Sequence, residues 1–134
     1  MISGGIFSLY TDLICFDKET YKKNMHRVTE IAEESAVELF RWKDIPPEPD
    51  METGNAMADF LRRENADTVI ALGGGSVLDA AKAALIVQQS TLPLEECFGT
   101  DSISKKFPDR NFKRIIAIPT TSGTGSEITH YSNI

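Results

Sequence analysis

Asp67-Thr68-Val69-Ile70-Ala71-Leu72, followed at once by Gly73-Gly74-Gly75-Ser76-Val77-Leu78-Asp79, decides how this chain folds. The first six residues are apolar on both faces, as a strand must be in a parallel sheet covered on both sides. Ser76 to Gln89 then carries a helix. Between them, three glycines let the backbone turn tightly and let a ligand approach without a Cβ in the way. Ser76 is placed as the helix N-cap, and Asp79 three residues on completes a variant of the capping box. Free amides at the start of the helix, with the helix dipole, make an anion site suited to a diphosphate. A strand-to-helix turn that merely needs glycine gives the same pattern, so this motif leaves the type of nucleotide open. It is not a Walker A sequence, because Lys82 is not followed by Ser or Thr and lies too deep in the helix. Nor is it the GxGxxG dinucleotide fingerprint.

The same alternation extends outward in both directions. Upstream, Leu13 to Phe16 reads as a short strand. Glu19 to Ser35 is a helix with a buried stripe of Tyr21, Met25, Val28, Ile31 and Ala32. Ala36 to Trp42 reads as a second strand. Lys43 to Asp50 holds three prolines and must be a loop. Met51 to Asn65 resumes helical spacing through Met57, Phe60 and Leu61. Downstream, Ser90 to Lys113 is irregular, and Arg114 to Ile118 is a further buried strand stopped by Pro119. Strands alternating with helices pair in parallel, because a parallel crossover needs about a dozen residues. The expectation is an α/β fold: an open, mostly parallel sheet with helices on both faces. Ligands of such sheets sit beyond the carboxyl ends of the strands, which directs attention to the residues after Leu72 and after Ile118.

After Ile118 comes Pro119-Thr120-Thr121-Ser122-Gly123-Thr124-Gly125-Ser126-Glu127. Hydroxyls and open amides can bind a ribose, a phosphate or a nicotinamide amide. A loop that only caps the next helix is the alternative. Two such turns at the same edge of one sheet favour a bound nucleotide over two coincidental caps.

Composition narrows the classes. The chain has 134 residues, 41% hydrophobic and 25% charged, the mix of one soluble globular domain. A net charge of −6 argues against nucleic acid, whose phosphates require a basic face. No apolar run approaches the roughly 18 residues of a membrane span, and the amino terminus lacks a basic region before its apolar patch. Cys15 and Cys97 form no metal or disulfide pattern, which suits a reducing cytoplasm. His26 and His130 lie far apart, so no metal site is expected within this chain.

The stretch ALGGGSVLDAAKA (71–83), with IAIPTTSGTGSEIT (116–129) further on, resembles the iron-containing (group III) alcohol dehydrogenases. The likeness is close over Asp67–Ala84 and Ile115–Thr129, and looser but in register over Leu13–Pro49. Glycerol dehydrogenases and dehydroquinate synthases share a GGG turn followed by Asp, but the TTSGTGSE stretch favours the alcohol dehydrogenase branch. The resemblance implies a Rossmann-like fold for residues 1–134 as a single NAD(P)-binding domain. It also implies that the family's helical metal-binding domain is absent here and that the chain is truncated at both ends relative to the family.

Carried over by position, the resemblance implies that Gly74, Gly75 and Ser76 hold the pyrophosphate of NAD or NADP. Asp79 and Lys82 match the family's D-x-x-K and join the cofactor-binding set. Thr120, Thr121 and Thr124 would line the cofactor, with Thr120 and Thr121 toward the adenine. Where members often carry Phe-Asp-Gly, this chain has Trp42-Lys43-Asp44, and Lys43 could pair with a 2′-phosphate. NAD and NADP both stay open. The family's Pro-Asn-Pro is Pro47-Glu48-Pro49 here, which adds a charge. The family's iron, or another divalent metal, is held by an Asp and three His of the helical domain, so no catalytic or metal residue is expected in this chain. The function implied is the cofactor-binding part of an alcohol dehydrogenase, passing hydride between an alcohol/aldehyde pair and nicotinamide, and inactive by itself. The partners implied are the dinucleotide, a small alcohol or aldehyde in the full enzyme, and a second copy or a separate helical half. A stand-alone nucleotide-binding or interaction module, or a fragment without function, are the alternatives.

Overall fold

The computed structural model describes residues 6–10, 18–36, 39–42, 45–65 and 68–134. Four strands alternate with helices: β1 (Ile6–Tyr10), α1 (Lys18–Glu34), β2 (Leu39–Trp42), α2 (Met51–Arg63), β3 (Thr68–Gly73), α3 (Gly75–Ser90), α4 (Ser102–Lys106) and β4 (Ile115–Pro119). A 3-10 turn, Leu94–Cys97, precedes α4. The strand order is β2-β1-β3-β4, and every pair is parallel. The register sets Val69 against Ile115 and Leu72 against Ile118.

The two faces are covered differently. Phe40 and Trp42 of β2 and Ile115 and Ala117 of β4 pack on the core formed with α2 and α3. Trp42 meets Phe60 of α2 edge-on, with ring centroids 5.3 Å apart. Arg41, between them in sequence, points to the opposite face and donates to Thr29 Oγ1 of α1 at 2.7 Å. So α1 lies on one face and α2 and α3 on the other, as right-handed crossovers demand when the chain first steps outward and then returns past β1. Met57, Leu61, Val69, Val77 and Leu78 are wholly buried at the centre of the second layer. Each contributes about 1.5–3 kcal/mol of burial free energy. Arg62 of α2 ties the two helices by donating to the Val87 carbonyl at 2.6 Å.

Several boundaries differ from the sequence expectation. The strand that pairs with β2 and β3 is Ile6–Tyr10, whereas the expected Leu13–Phe16 lies outside the described residues. Ile, Phe, Leu and Tyr are all favourable strand residues, so the stretch IFSLY carries the signal. Ala36 is not in β2: its φ of 53° and the bond from its amide to the Glu33 carbonyl close the end of α1. Asn65, with the same φ, lies beyond the end of α2. Between Ser90 and Lys113 the chain is more regular than expected, with the 3-10 turn and α4. The strand read as buried, β4, is open on one side: Ile116 is 46% and Ile118 37% exposed. It is the sheet's edge, and among the described residues no helix covers that face of it.

Candidate functional site

The connections of β1 and β3 leave in opposite directions, so the switch point of the sheet lies between their carboxyl ends. Gly73 ends β3 and Gly75 begins α3, leaving Gly74 as the only residue between strand and helix. Gly74 is the N-cap, in extended conformation, and makes no side-chain cap. This corrects the expected capping box. The helix begins two residues earlier than Ser76 as cap requires, so Ser76 already lies within it. Its hydroxyl donates to the Pro47 carbonyl instead, tying the proline-rich loop to the turn. The amides of Gly75 and Ser76, in the first turn of α3, have no acceptor within the helix.

The second turn folds directly over the first. The Thr120 amide donates to the Gly73 carbonyl at 2.9 Å, continuing the β3–β4 ladder past its end. A Cβ placed on Gly75 would stand 3.2 Å from Ser126 Oγ and 3.3 Å from Thr124 Cγ2. A side chain there would require Ser126 and Thr124 to give way by a few tenths of an ångström. Gly123 and Gly125 adopt positive φ, 92° and 66°, as the hairpin-like path of the loop requires. Thr120 and Thr124 are exposed and Thr121 is half-buried. The Thr121 Oγ1 is buried without a partner among the described residues.

These parts enclose a cleft of about 660 Å³, bounded by Pro47, Glu48, Gly75, Ser76, Thr124 and Ser126, with Asp79 and Asn133 also on its wall. That volume lies within the usual range for small-molecule sites. Glu48 is exposed on its rim. A second cleft, about 710 Å³, lies farther along α3 and is lined mainly by apolar side chains such as Leu85, Ile86, Phe98 and Phe112. Cys97 faces it, and burial pushes its thiol above the ordinary range.

Asp79 and Lys82 sit one helical turn apart on the face of α3 beneath the second turn. Lys82 Nζ lies 3.1 Å from Asp79 Oδ1, 2.9 Å from Thr129 Oγ1 and 2.9 Å from the Tyr131 carbonyl. Asp79 receives the Asn133 amide on Oδ2 at 3.2 Å and the Ser132 hydroxyl on its carbonyl at 2.7 Å. The structure therefore brings Gly75, Ser76, Thr124 and Asp79 to the smaller cleft; Gly74, Thr120 and Thr121 stand beside it without lining it, and Lys82 lines the larger cleft. Lys43 lies outside the described residues. The positions that sequence reading missed are Ser132 and Asn133, whose types carry no motif, and Thr129, whose tie to Lys82 spans 47 residues.

The parallel sheet, its switch point and the two stacked turns define a Rossmann-like α/β unit. The chain belongs to the iron-containing alcohol dehydrogenase family, whose profile matches residues 7–134. It is 41% identical over 103 residues to an aldehyde-alcohol dehydrogenase of Streptococcus pneumoniae, covering 68% of this chain and 11% of that protein. It is 38% identical over 104 residues to an NADPH-dependent butanol dehydrogenase of Clostridium saccharobutylicum, covering 75% and 26%. Among solved structures it resembles the sulfoacetaldehyde reductase of Bifidobacterium kashiwanohense in complex with NAD+, with TM-score 0.66 and 25% identity, over 93% of this chain and 31% of that one. The chain thus spans between about a tenth and a third of the length of these relatives. Among the described residues, no three His, Cys, Asp or Glu side chains come together to hold a metal ion. Iron does not fit this set of described residues. Among the described residues no helix is long and apolar enough to cross a membrane.

Proposed function

We propose that this chain is the dinucleotide-binding part of an NAD(P)-dependent oxidoreductase acting on an alcohol/aldehyde pair. The observation that carries the reading is the meeting of the two glycine-rich turns: Ser126 Oγ and Thr124 Cγ2 come within 3.2 and 3.3 Å of the position a Cβ of Gly75 would take. Gly75 and Ser76 line the cleft between the turns, and their amides have no acceptor within α3. The pyrophosphate would seat on Gly74, Gly75 and Ser76, where partial positive charge of the α3 amino terminus offsets its charge. Thr120, Thr121 and Thr124 would donate hydroxyls to the cofactor, the partnerless Thr121 Oγ1 among them. Ser76 would exchange the Pro47 carbonyl for a phosphate oxygen, freeing the proline-rich loop.

Nicotinamide, when bound, supplies the hydride acceptor or donor at its ring carbon. The chain's own residues bind and orient it. Among the described residues no metal-ligand cluster stands ready to polarise an alcohol oxygen, and the expected result for the 134 residues alone is no turnover of an alcohol.

Isothermal titration with NAD and with NADP tests the reading. Saturable binding of one dinucleotide per chain is expected, and no heat with either at millimolar concentration would refute it. Chain position puts Lys43 directly after the last residue of β2, where it would read the 2′-phosphate. Lys43→Ala should then weaken NADP about fivefold and leave NAD unchanged, the scale of one exposed charge pair.

A further inference from the structure

We propose that Lys82 is a positioning residue: it holds the Thr120–Glu127 loop over Gly75 and does not touch the cofactor. The inference rests on the smaller cleft being the dinucleotide site. A lysine ammonium has three donors. Here they meet Asp79 Oδ1, Thr129 Oγ1 and the Tyr131 carbonyl, all within 3.1 Å. Two of those acceptors belong to the segment that leaves the loop. Asp79 fastens the same segment twice more, through Ser132 and Asn133. The side chains of the pair are only 10% and 17% exposed, so the tether is shielded from water and salt.

The pull is transmitted to the cleft through a short relay. The amides of Ile128 and Thr129 donate to the Gly125 carbonyl at 3.0 and 3.2 Å. Thr129 Oγ1, while accepting from Lys82, lies 3.4 Å from the Ser126 carbonyl. Ser126 is 8% exposed, and its hydroxyl closes over Gly75. At its other end the loop is anchored by the Thr120 amide on Gly73. Between the anchors, nothing lies within 4 Å of the positions a Cβ would take on Gly123 and Gly125. A segment with two unpacked glycines keeps one shape only if both ends are tied. Lys82 shares the downstream tie with Asp79, and its spent donors leave none for a phosphate.

Amide hydrogen exchange and dinucleotide titration, on the full chain and three variants, test this. Lys82→Met should speed exchange over residues 122–130 about tenfold while leaving β3 unchanged, the pattern of a local opening. It should weaken NAD or NADP about tenfold, the order expected when binding groups are displaced by a fraction of a bond length. Thr129→Val, which keeps the Asp79–Lys82 pair and the fold, should shift both readouts the same way by a smaller factor. Lys82→Arg, a cationic donor in reach of the same oxygens, should restore loop protection. Unchanged exchange over 122–130 in both Lys82→Met and Thr129→Val would overturn the proposal. So would a loss of affinity with loop exchange unaltered, since Lys82 would then be a direct phosphate ligand. A parent chain that binds neither dinucleotide sinks the assignment of the cleft, a result read separately from the exchange comparison.

Discussion

The two glycine-rich turns stand at the carboxyl ends of neighbouring strands, yet they are held by different physics. The first, Gly73–Ser76, is part of the core: Gly73 and Gly74 are buried, and Val77 and Leu78 behind them are wholly enclosed. The second, Thr120–Glu127, is mostly exposed, and side-chain bonds to α3 give it shape. One turn comes with the fold, and the other is fastened to it. A binding cleft with one fixed wall and one tethered wall can be adjusted by changing the tether without unfolding the sheet.

The largest effect is expected where the two turns touch. Gly75→Val should lower dinucleotide affinity about a hundredfold, because the added methyls occupy the space of Thr124 and Ser126 and push the second turn off the first. Titration against the parent at matched melting temperature checks it. Gly125→Ala sharpens the contrast. There a Cβ meets nothing, but φ is 66°, so the cost is conformational, about 1 kcal/mol. Differential exchange confined to the loop, with the core unaltered, is the expected record.

A smaller effect concerns the rim. Glu48 places a negative charge beside a cleft proposed for a diphosphate. Glu48→Gln should tighten dinucleotide binding about two- to threefold at low ionic strength, and less in 0.15 M salt, where exposed charges are screened. The smallest effect concerns the cap that starts α2 just after that rim. The amide and hydroxyl of Thr53 hold the Asp50 carboxyl below its ordinary value of 3.8. A depressed folded value stabilises the fold above the ordinary value, and that contribution is lost as pH falls through the folded one. The stability gap between the parent and Asp50→Asn should therefore shrink on acidification below pH 4, as denaturant titration at several pH values would record.

The first turn was the more legible in the sequence. A run of four apolar residues, Val69 to Leu72, three glycines and a long helix follow one another without interruption, so β3 and α3 could be read to within a residue. The error there was local: Ser76 looks like a cap, but Gly74 supplies the cap position and Ser76 turns to the Pro47 carbonyl. The second turn was legible as a motif, not as an arrangement. That Thr129, Ser132 and Asn133 return to Asp79 and Lys82 depends on contacts some fifty residues apart, which periodicity cannot encode. The exposure of Ile116 and Ile118 was likewise invisible, because an apolar run reads the same at the edge of a sheet as at its centre.

If both turns bind one ligand, as proposed, backbone chemical-shift mapping reads it most directly. As NAD or NADP is added to the full chain, the amides of Gly75, Ser76 and Thr121–Ser126 should shift together along one saturation curve. Shifts confined to one turn, or centred on the larger cleft around Phe98 and Phe112, would contradict it.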